Sequence, residues 1–218
     1  MISDRCNIIA TGSAGNAVVL DNLLMIDCGV SFKALNDVWR TLQLVLLTHW
    51  HSDHFNYSTI ARLARERPAL RFGCCDWMAP KLLECGVEKR NIDINAAGYS
   101  LRYGVCCCVE PVPLIHNVPN CGYKLGIKGE RVFYATDTNS LLDIVAKDFD
   151  LYLIEANYEE TEIAERIRKK QDAGEFCHEY AVLDYHLSRE KAEQWLANNA
   201  GTNSRYVFLH GHTDKQQT

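Results

Sequence analysis

The chain has 218 residues, 47% of them hydrophobic, and a formal net charge of −5. That profile fits one compact domain spanning 1–218 and gives no global attraction to a polyanion, so it excludes a protein that coats nucleic acid by charge alone. No apolar run approaches the roughly eighteen residues of a membrane span, and Met1-Ile2-Ser3-Asp4-Arg5 lacks the apolar stretch of a secretory signal, so the expected location is cytoplasmic with no membrane partner.

Apolar runs at 7–10, 17–20, 23–27 and 44–48 are predicted as the first strands. Helices are predicted at about 33–42, 58–67 and 78–85, the second closed by Pro68 and the third by Gly86. A second set of strands is expected at about 99–109, 112–115, 122–127 and 131–136, with Lys128-Gly129-Glu130-Arg131 as a hairpin turn. A helix at about 140–147 follows, then a strand at 151–155 and a highly charged helix at about 158–172. Ser188 reads as the N-cap of a helix that Gly201 ends, and a last strand runs over 206–209. Two groups of strands with helices outside each suit an α/β fold, a four-layer αββα sandwich.

The stretch Thr48-His49-Trp50-His51-Ser52-Asp53-His54 directly follows the apolar run Leu44-Val45-Leu46-Leu47. Three imidazoles and a carboxylate crowded at one strand end without a cation would lack partners. Such ligands suit zinc foremost, and also manganese or iron, and two cations fit if further ligands arrive from elsewhere in the chain.

This H-x-H-x-D-H pattern resembles the signature of the metallo-β-lactamase fold hydrolases, and the order of the other motifs is similar. Thr11-Gly12-Ser13-Ala14-Gly15-Asn16 precedes the strand at 17–20, and Asp27-Cys28-Gly29 forms an Asp-x-Gly turn. His116 follows Val112-Pro113-Leu114-Ile115, Asp137 ends Val132-Phe133-Tyr134-Ala135-Thr136, and His210 ends Tyr206-Val207-Phe208-Leu209. The resemblance covers about residues 7–212. It implies a binuclear centre in which His49, His51 and His116 hold the first divalent cation, Asp53, His54 and His210 hold the second, and Asp137 bridges them, with a metal-bound hydroxide as nucleophile. In His210-Gly211-His212 either histidine could be the ligand; His210 is preferred because it sits directly at the end of an apolar strand, as His49 does. An aspartate at the bridging position, where some lactamases use a zinc-bound thiolate, argues against penicillin hydrolysis and for an oxygen-rich site.

Ile154-Glu155-Ala156-Asn157-Tyr158-Glu159-Glu160 and Tyr185-His186-Leu187-Ser188-Arg189-Glu190-Lys191-Ala192 resemble motifs of a small bacterial and phage branch of that fold, the mismatch-repair-type exonucleases and their relatives. By that resemblance His186 is a candidate general acid for the leaving oxygen, histidine being the side chain whose ordinary pKa lies nearest operating pH. Asp53 is the second catalytic candidate, and His178 reads as a surface loop residue. The interval between Asp137 and His210 is too short for the large insert of messenger-RNA-processing and artemis-type nucleases, and no long Gly/Pro-rich exosite arm of transfer-RNA 3′-processing enzymes is present.

The ten cysteines form no C-x-x-C pair and read as small buried hydrophobes. In the run Cys106-Cys107-Cys108 alternate residues of a strand face opposite ways and cannot converge on one ion; Cys28 and Cys121 read as packing. Arg166, Arg168, Lys169 and Lys170 interleave with Glu159, Glu160, Glu162 and Glu165, which describes a solvated helix face. The expectation is a binuclear-metal-dependent phosphodiesterase, nuclease-like and acting on a DNA or RNA end. The alternative within phosphoester chemistry is a small cyclic nucleotide, as in phage enzymes directed against nucleotide-based defence signalling. Outside it stand a thioester or lactone hydrolase and a metal-retaining scaffold. A homodimer is the expected assembly.

Overall fold

The computed structural model describes residues 1–104 and 107–211, so Cys106 and His212 lie outside the described residues. The first sheet contains β1 (Cys6–Ala10), β2 (Ala17–Leu20), β3 (Leu24–Ile26), β4 (Leu44–Leu47), β5 (Arg71–Cys74) and β6 (Ile92–Ile94), in that spatial order. The second contains β7 (Leu101–Tyr103), β8 (Cys107–Leu114), β9 (Asn120–Ile127), β10 (Glu130–Ala135), β11 (Leu151–Glu155) and β12 (Arg205–Leu209), also in chain order from one edge to the other. In each sheet the early pairings are antiparallel and the later ones parallel.

The sheets stack face to face because their strands are apolar on both sides, as strands covered on both faces must be. Leu44 and Leu46 of β4 point inward with Leu20 and Ile26, against Tyr123, Leu125, Val132, Tyr134 and Leu153 of the second sheet. Val45 and Leu47 point outward, where they meet Ile60 and Leu63 of α1 (Tyr57–Glu66) and Leu82 of α2 (Ala79–Glu84). On the far side Trp195 and Leu196 of α5 (Arg189–Asn199) pack on Phe133, Tyr152 and Ile154. The result is the expected αββα sandwich. Outside these layers, α3 (Glu160–Ala173) and α4 (Glu179–Tyr185) pack on each other through Lys170, whose Nζ lies 2.7 Å from Glu179 Oε1.

Several local expectations are met by their stated chemistry. Ser188 Oγ accepts from Lys191 N at 3.2 Å at the start of α5, as the sequence implied, and Asn56 Oδ1, which the sequence reading did not single out, accepts from Thr59 N at 3.0 Å at the start of α1. Between β9 and β10, Lys128 (φ 51°) and Gly129 (φ 86°) form a two-residue turn with both central residues left-handed, which matches the strand twist.

Other elements depart from the sequence reading. The helix expected at 33–42 is two short 3₁₀ turns, Phe32–Leu35 and Val38–Arg40, because Asn36 at φ 48° interrupts it. The helix expected at 140–147 does not form. Its backbone is taken by side chains from elsewhere: Trp195 Nε1 donates to Ile144 O at 2.9 Å, Tyr152 OH donates to Ala146 O at 2.7 Å, and Ala146 N donates to Asn199 Oδ1 at 3.0 Å. The strands expected at 99–109 and 112–115 are redistributed, β7 being short and β8 running unbroken through Pro111 and Pro113. Beyond Val109, β8 pairs only with β9, which leaves it the free edge that prolines tolerate.

Candidate metal centre

β3 and β4 run parallel and end side by side, so Asp27 and Thr48 leave the first sheet together. Asp27, at φ 59°, turns a fully buried carboxylate under the histidine loop. It accepts from Thr48 N (3.0 Å), Thr48 Oγ1 (2.8 Å), His54 Nδ1 (2.7 Å) and Tyr134 OH (3.1 Å). The loop is pinned from the other side as Asn16 N donates to Asp53 O at 2.6 Å and Cys28 N to His54 O at 2.9 Å. In the second sheet β10, β11 and β12 are parallel, and their ends deliver Asp137, Glu155 and His210 to one place. His116 arrives just past the end of β8.

Three imidazole nitrogens converge first. His51 Nδ1 lies 3.2 Å from His49 Nε2 and 3.3 Å from His116 Nε2. Tetrahedral nitrogen ligands about 2.05 Å from zinc would stand about 3.3 Å apart, so the spacing fits a cation. The second group is Asp53, His54 and His210, with His54 Nε2 3.5 Å and His210 Nε2 3.6 Å from Asp53 Oδ2. Asp137 lies between the groups: Oδ2 is 2.9 Å from His54 Nε2, while Oδ1 is 3.5 Å from His210 Nε2 and 4.0 Å from His116 Nε2. Asp137 Oδ2 and His210 Nε2 are buried without a hydrogen bond of good geometry, as atoms meant for a cation would be.

The six residues that the sequence reading assigned to one cation or the other fall in these two groups, and Asp137 lies between them. His186 stands beside them, its ring stacked on His210 at 5.3 Å between centroids and edge-on to His116 at 5.7 Å. His178 lies on the outer helices next to Lys170, 2.9 Å away, and takes no part. Cys28 and Cys121 are buried in the apolar cores, and Cys107 and Cys108 are consecutive residues of β8.

The sequence reading gave no role to the residues that aim the ligands. His49 Nδ1 meets Thr48 Oγ1 at 3.0 Å, and that hydroxyl in turn donates to Asp27. Glu155, fully buried, accepts from Thr138 N (3.0 Å) and Leu187 N (3.2 Å) with one oxygen and from His186 Nδ1 (2.7 Å) with the other, which also lies 3.3 Å from His210 Nδ1. Asp27 and Glu155 therefore face the Nδ1 atoms of His54, His186 and His210 and turn the Nε2 atoms of His54 and His210 inward, the arrangement that makes histidine a good ligand, with His54 Nε2 also 2.8 Å from Asn16 Nδ2. Asn120 Nδ2 donates to Thr136 O (3.0 Å) and Asp137 O (2.7 Å), which clamps the left-handed backbone of Asp137 at φ 58°. A glutamate closing the otherwise apolar, wholly buried strand β11 was the signal available for Glu155.

Electrostatics separates the groups. Burial pushes the His49 and His116 imidazoles down, so both are neutral donors. At Asp137 burial opposes ionisation, but the His54 charge outweighs it and holds the carboxyl well below its usual range. For His210 burial is outweighed by the Asp53 and Glu155 carboxylates close to its ring nitrogens, and its pKa is pushed up to about 10. His54 is raised likewise, burial losing to Asp137 and Asp27. Ionised carboxylates here demand positive charge, and a divalent cation would replace the imidazole protons that otherwise supply it.

Gly29 makes the loop possible, since a Cβ there would lie 1.7 Å from Asp53 O. Gly29→Ala is expected to cost roughly 3 kcal/mol, the upper end of over-packing penalties, and to lower metal content, read by urea denaturation and elemental analysis. Unchanged stability and metal content would show that the loop does not sit against this residue.

The family described as Beta-lactamase superfamily domain matches residues 22–210. YhfI of Bacillus subtilis, a metallo-β-lactamase fold protein, superposes with a TM-score of 0.72 at 17% identity, over 96% of this chain and 87% of that one. The short form of human tRNase Z gives 0.70 at 15% identity, over 95% and 92%. A diphosphatase of the PhnP family gives 0.61 at 13% identity, over 94% and 85%. At these identities the likeness is one of fold. No curated protein matches the sequence.

Proposed function

Because this chain belongs to the Beta-lactamase superfamily and carries a His/Asp cluster able to hold metal ions, it is a metal-dependent hydrolase, and we propose that it cleaves phosphodiesters with nuclease-like chemistry. His49, His51 and His116 would hold one cation and Asp53, His54 and His210 a second, with Asp137 reaching both. Bound there, divalent cations polarise a phosphoryl oxygen and make a nucleophile available at neutral pH. Asp53, with a side chain 21% exposed, is more open than Asp137 at 4% and is positioned to take a proton from incoming water.

The observation that carries the reading is His186. Its Nδ1 lies 2.7 Å from Glu155, its side chain is 19% exposed, and its remaining nitrogen, which has no hydrogen-bond partner among the described residues, could deliver a proton beside the cluster. An alkoxide leaving from phosphorus needs that proton, whereas a thiolate leaving from a thioester does not. The names of two similar folds, a tRNase Z and a diphosphatase, are of enzymes that act at phosphorus, which supports phosphoryl chemistry.

The test is a panel of bis(p-nitrophenyl) phosphate, linear DNA, cyclic nucleotides, a thioester and a lactone, offered to the metal-loaded chain. Phosphodiester turnover that a chelator abolishes is expected, and its distribution between linear and cyclic substrates names the natural class. Turnover of only the thioester or lactone would overturn the proposal, and inertness towards all five would make the chain a metal-retaining scaffold.

A further inference from the structure

The candidate metal centre lies where β3 and β4 end; a cleft of about 780 Å³ opens between the two sheets where the same strands begin. Leu44 on its wall is five positions before His49, about 16 Å along an extended strand. The cleft is therefore a separate place in the fold.

Its walls are apolar: Leu20, Leu23, Leu24 and Leu44 from the first sheet's side, Leu101 and Ile127 from the second. Leu20, Leu24, Leu44 and Ile127 are only 0%, 3%, 4% and 4% exposed and belong to the packed core, so they form the closed floor of the cleft, and its open apolar surface belongs to Leu23 and Leu101. It suits a flexible chain and not a folded surface. At the mouth the chemistry changes sign, with Arg67, Arg71, Arg102 and Lys128 facing a single carboxylate, Asp93, on a protein whose net charge is −5.

These cations are not equivalent. Arg71 is neutralised by Asp93, to which its Nε donates at 3.0 Å, and Lys128 pairs with Asp21. Arg67 spends its donors on the carbonyls of Trp39, Arg40 and Leu42 and meets no carboxylate among the described residues. Arg102, on the exposed hairpin strand β7, likewise has no carboxylate partner among the described residues. Two uncompensated guanidiniums over an apolar slot call for an anionic head joined to a hydrocarbon tail. A nucleotide would bury sugar and base polar groups against leucine without partners, and a neutral hydrocarbon would leave the guanidinium charge unmet. The volume lies within the roughly 300–1,000 Å³ of small-molecule sites.

We propose that this cleft binds a long-chain carboxylate, its tail laid along the cleft over Leu23 and Leu101 and its head on Arg102. The experiment uses the metal-loaded full chain and calorimetric titration with dodecanoate below its micelle concentration, with dodecanol as the uncharged control. One dodecanoate per chain is expected. Arg102→Glu should weaken binding by about tenfold or more, the scale of one lost charge-assisted contact, and Leu101→Asp, a half-exposed wall position, should do the same. Dodecanol should bind correspondingly less well, and metal content should be unchanged in both variants. Absence of dodecanoate binding, or equal affinity for dodecanoate and dodecanol in the parent and in Arg102→Glu, would overturn the proposal.

Discussion

Asp137→Ala is expected to lose metal from both positions at once. The parent chain should carry about two transition-metal ions, as paired sites do. Among the described residues Asp137 is the side chain whose two oxygens reach both groups, with Oδ2 2.9 Å from His54 Nε2 and Oδ1 4.0 Å from His116 Nε2. Outer partners of a metal typically change affinity by about 10–100-fold, and losing a shared ligand should exceed that at each position. Elemental analysis after dialysis reads the result directly. A protein retaining one firmly held ion that neither the substitution nor excess metal alters would refute the paired arrangement, whereas loss confined to one position would make Asp137 a ligand of that position alone.

His186→Ala should leave metal content intact and slow cleavage of a nucleoside-leaving phosphodiester by roughly 10²–10⁴-fold, the usual contribution of a positioned general acid. The same variant should lose far less on bis(p-nitrophenyl) phosphate, because p-nitrophenolate departs as a stable anion. Comparing the two substrates separates proton delivery from every other role. Equal losses with metal retained would mean that His186 positions phosphate; metal loss would make it a ligand, a reading its 3.7 Å distance from Asp137 Oδ1 makes concrete.

What could be read from the chain is what is local in it. His49, His51, Asp53 and His54 share one loop at the end of an apolar run, so their spacing alone implied a cation. Glu155 escaped because its partners stand elsewhere: His186 is 31 positions away and approachable only once α4 turns it back. Asp27 was legible as a turn but not as a support, since Tyr134, which donates to it, lies 107 positions downstream. The failed helix at 140–147 has the same cause, Trp195 and Asn199 competing for its backbone from α5. β5 and β6 were passed over because a strand such as Arg71-Phe72-Gly73-Cys74 carries a charge and a glycine in four residues. Gly73 is there for space, a Cβ at that position lying 2.7 Å from both Leu46 Cδ2 and Tyr103 OH.

The bond from His210 N to Thr11 Oγ1, at 2.7 Å, joins positions 199 residues apart. Closing so long a loop is slow and comes after nearer contacts have formed. The trio His49, His51 and His116 needs no residue later in the chain than His116, whereas the group around Asp53 and His54 waits for His210. During synthesis, where earlier segments emerge first, His49, His51, His116 and the shared Asp137 are all present well before His210. The two halves of the centre therefore mature in order, and a nascent chain passes through a stage at which only one of them can form.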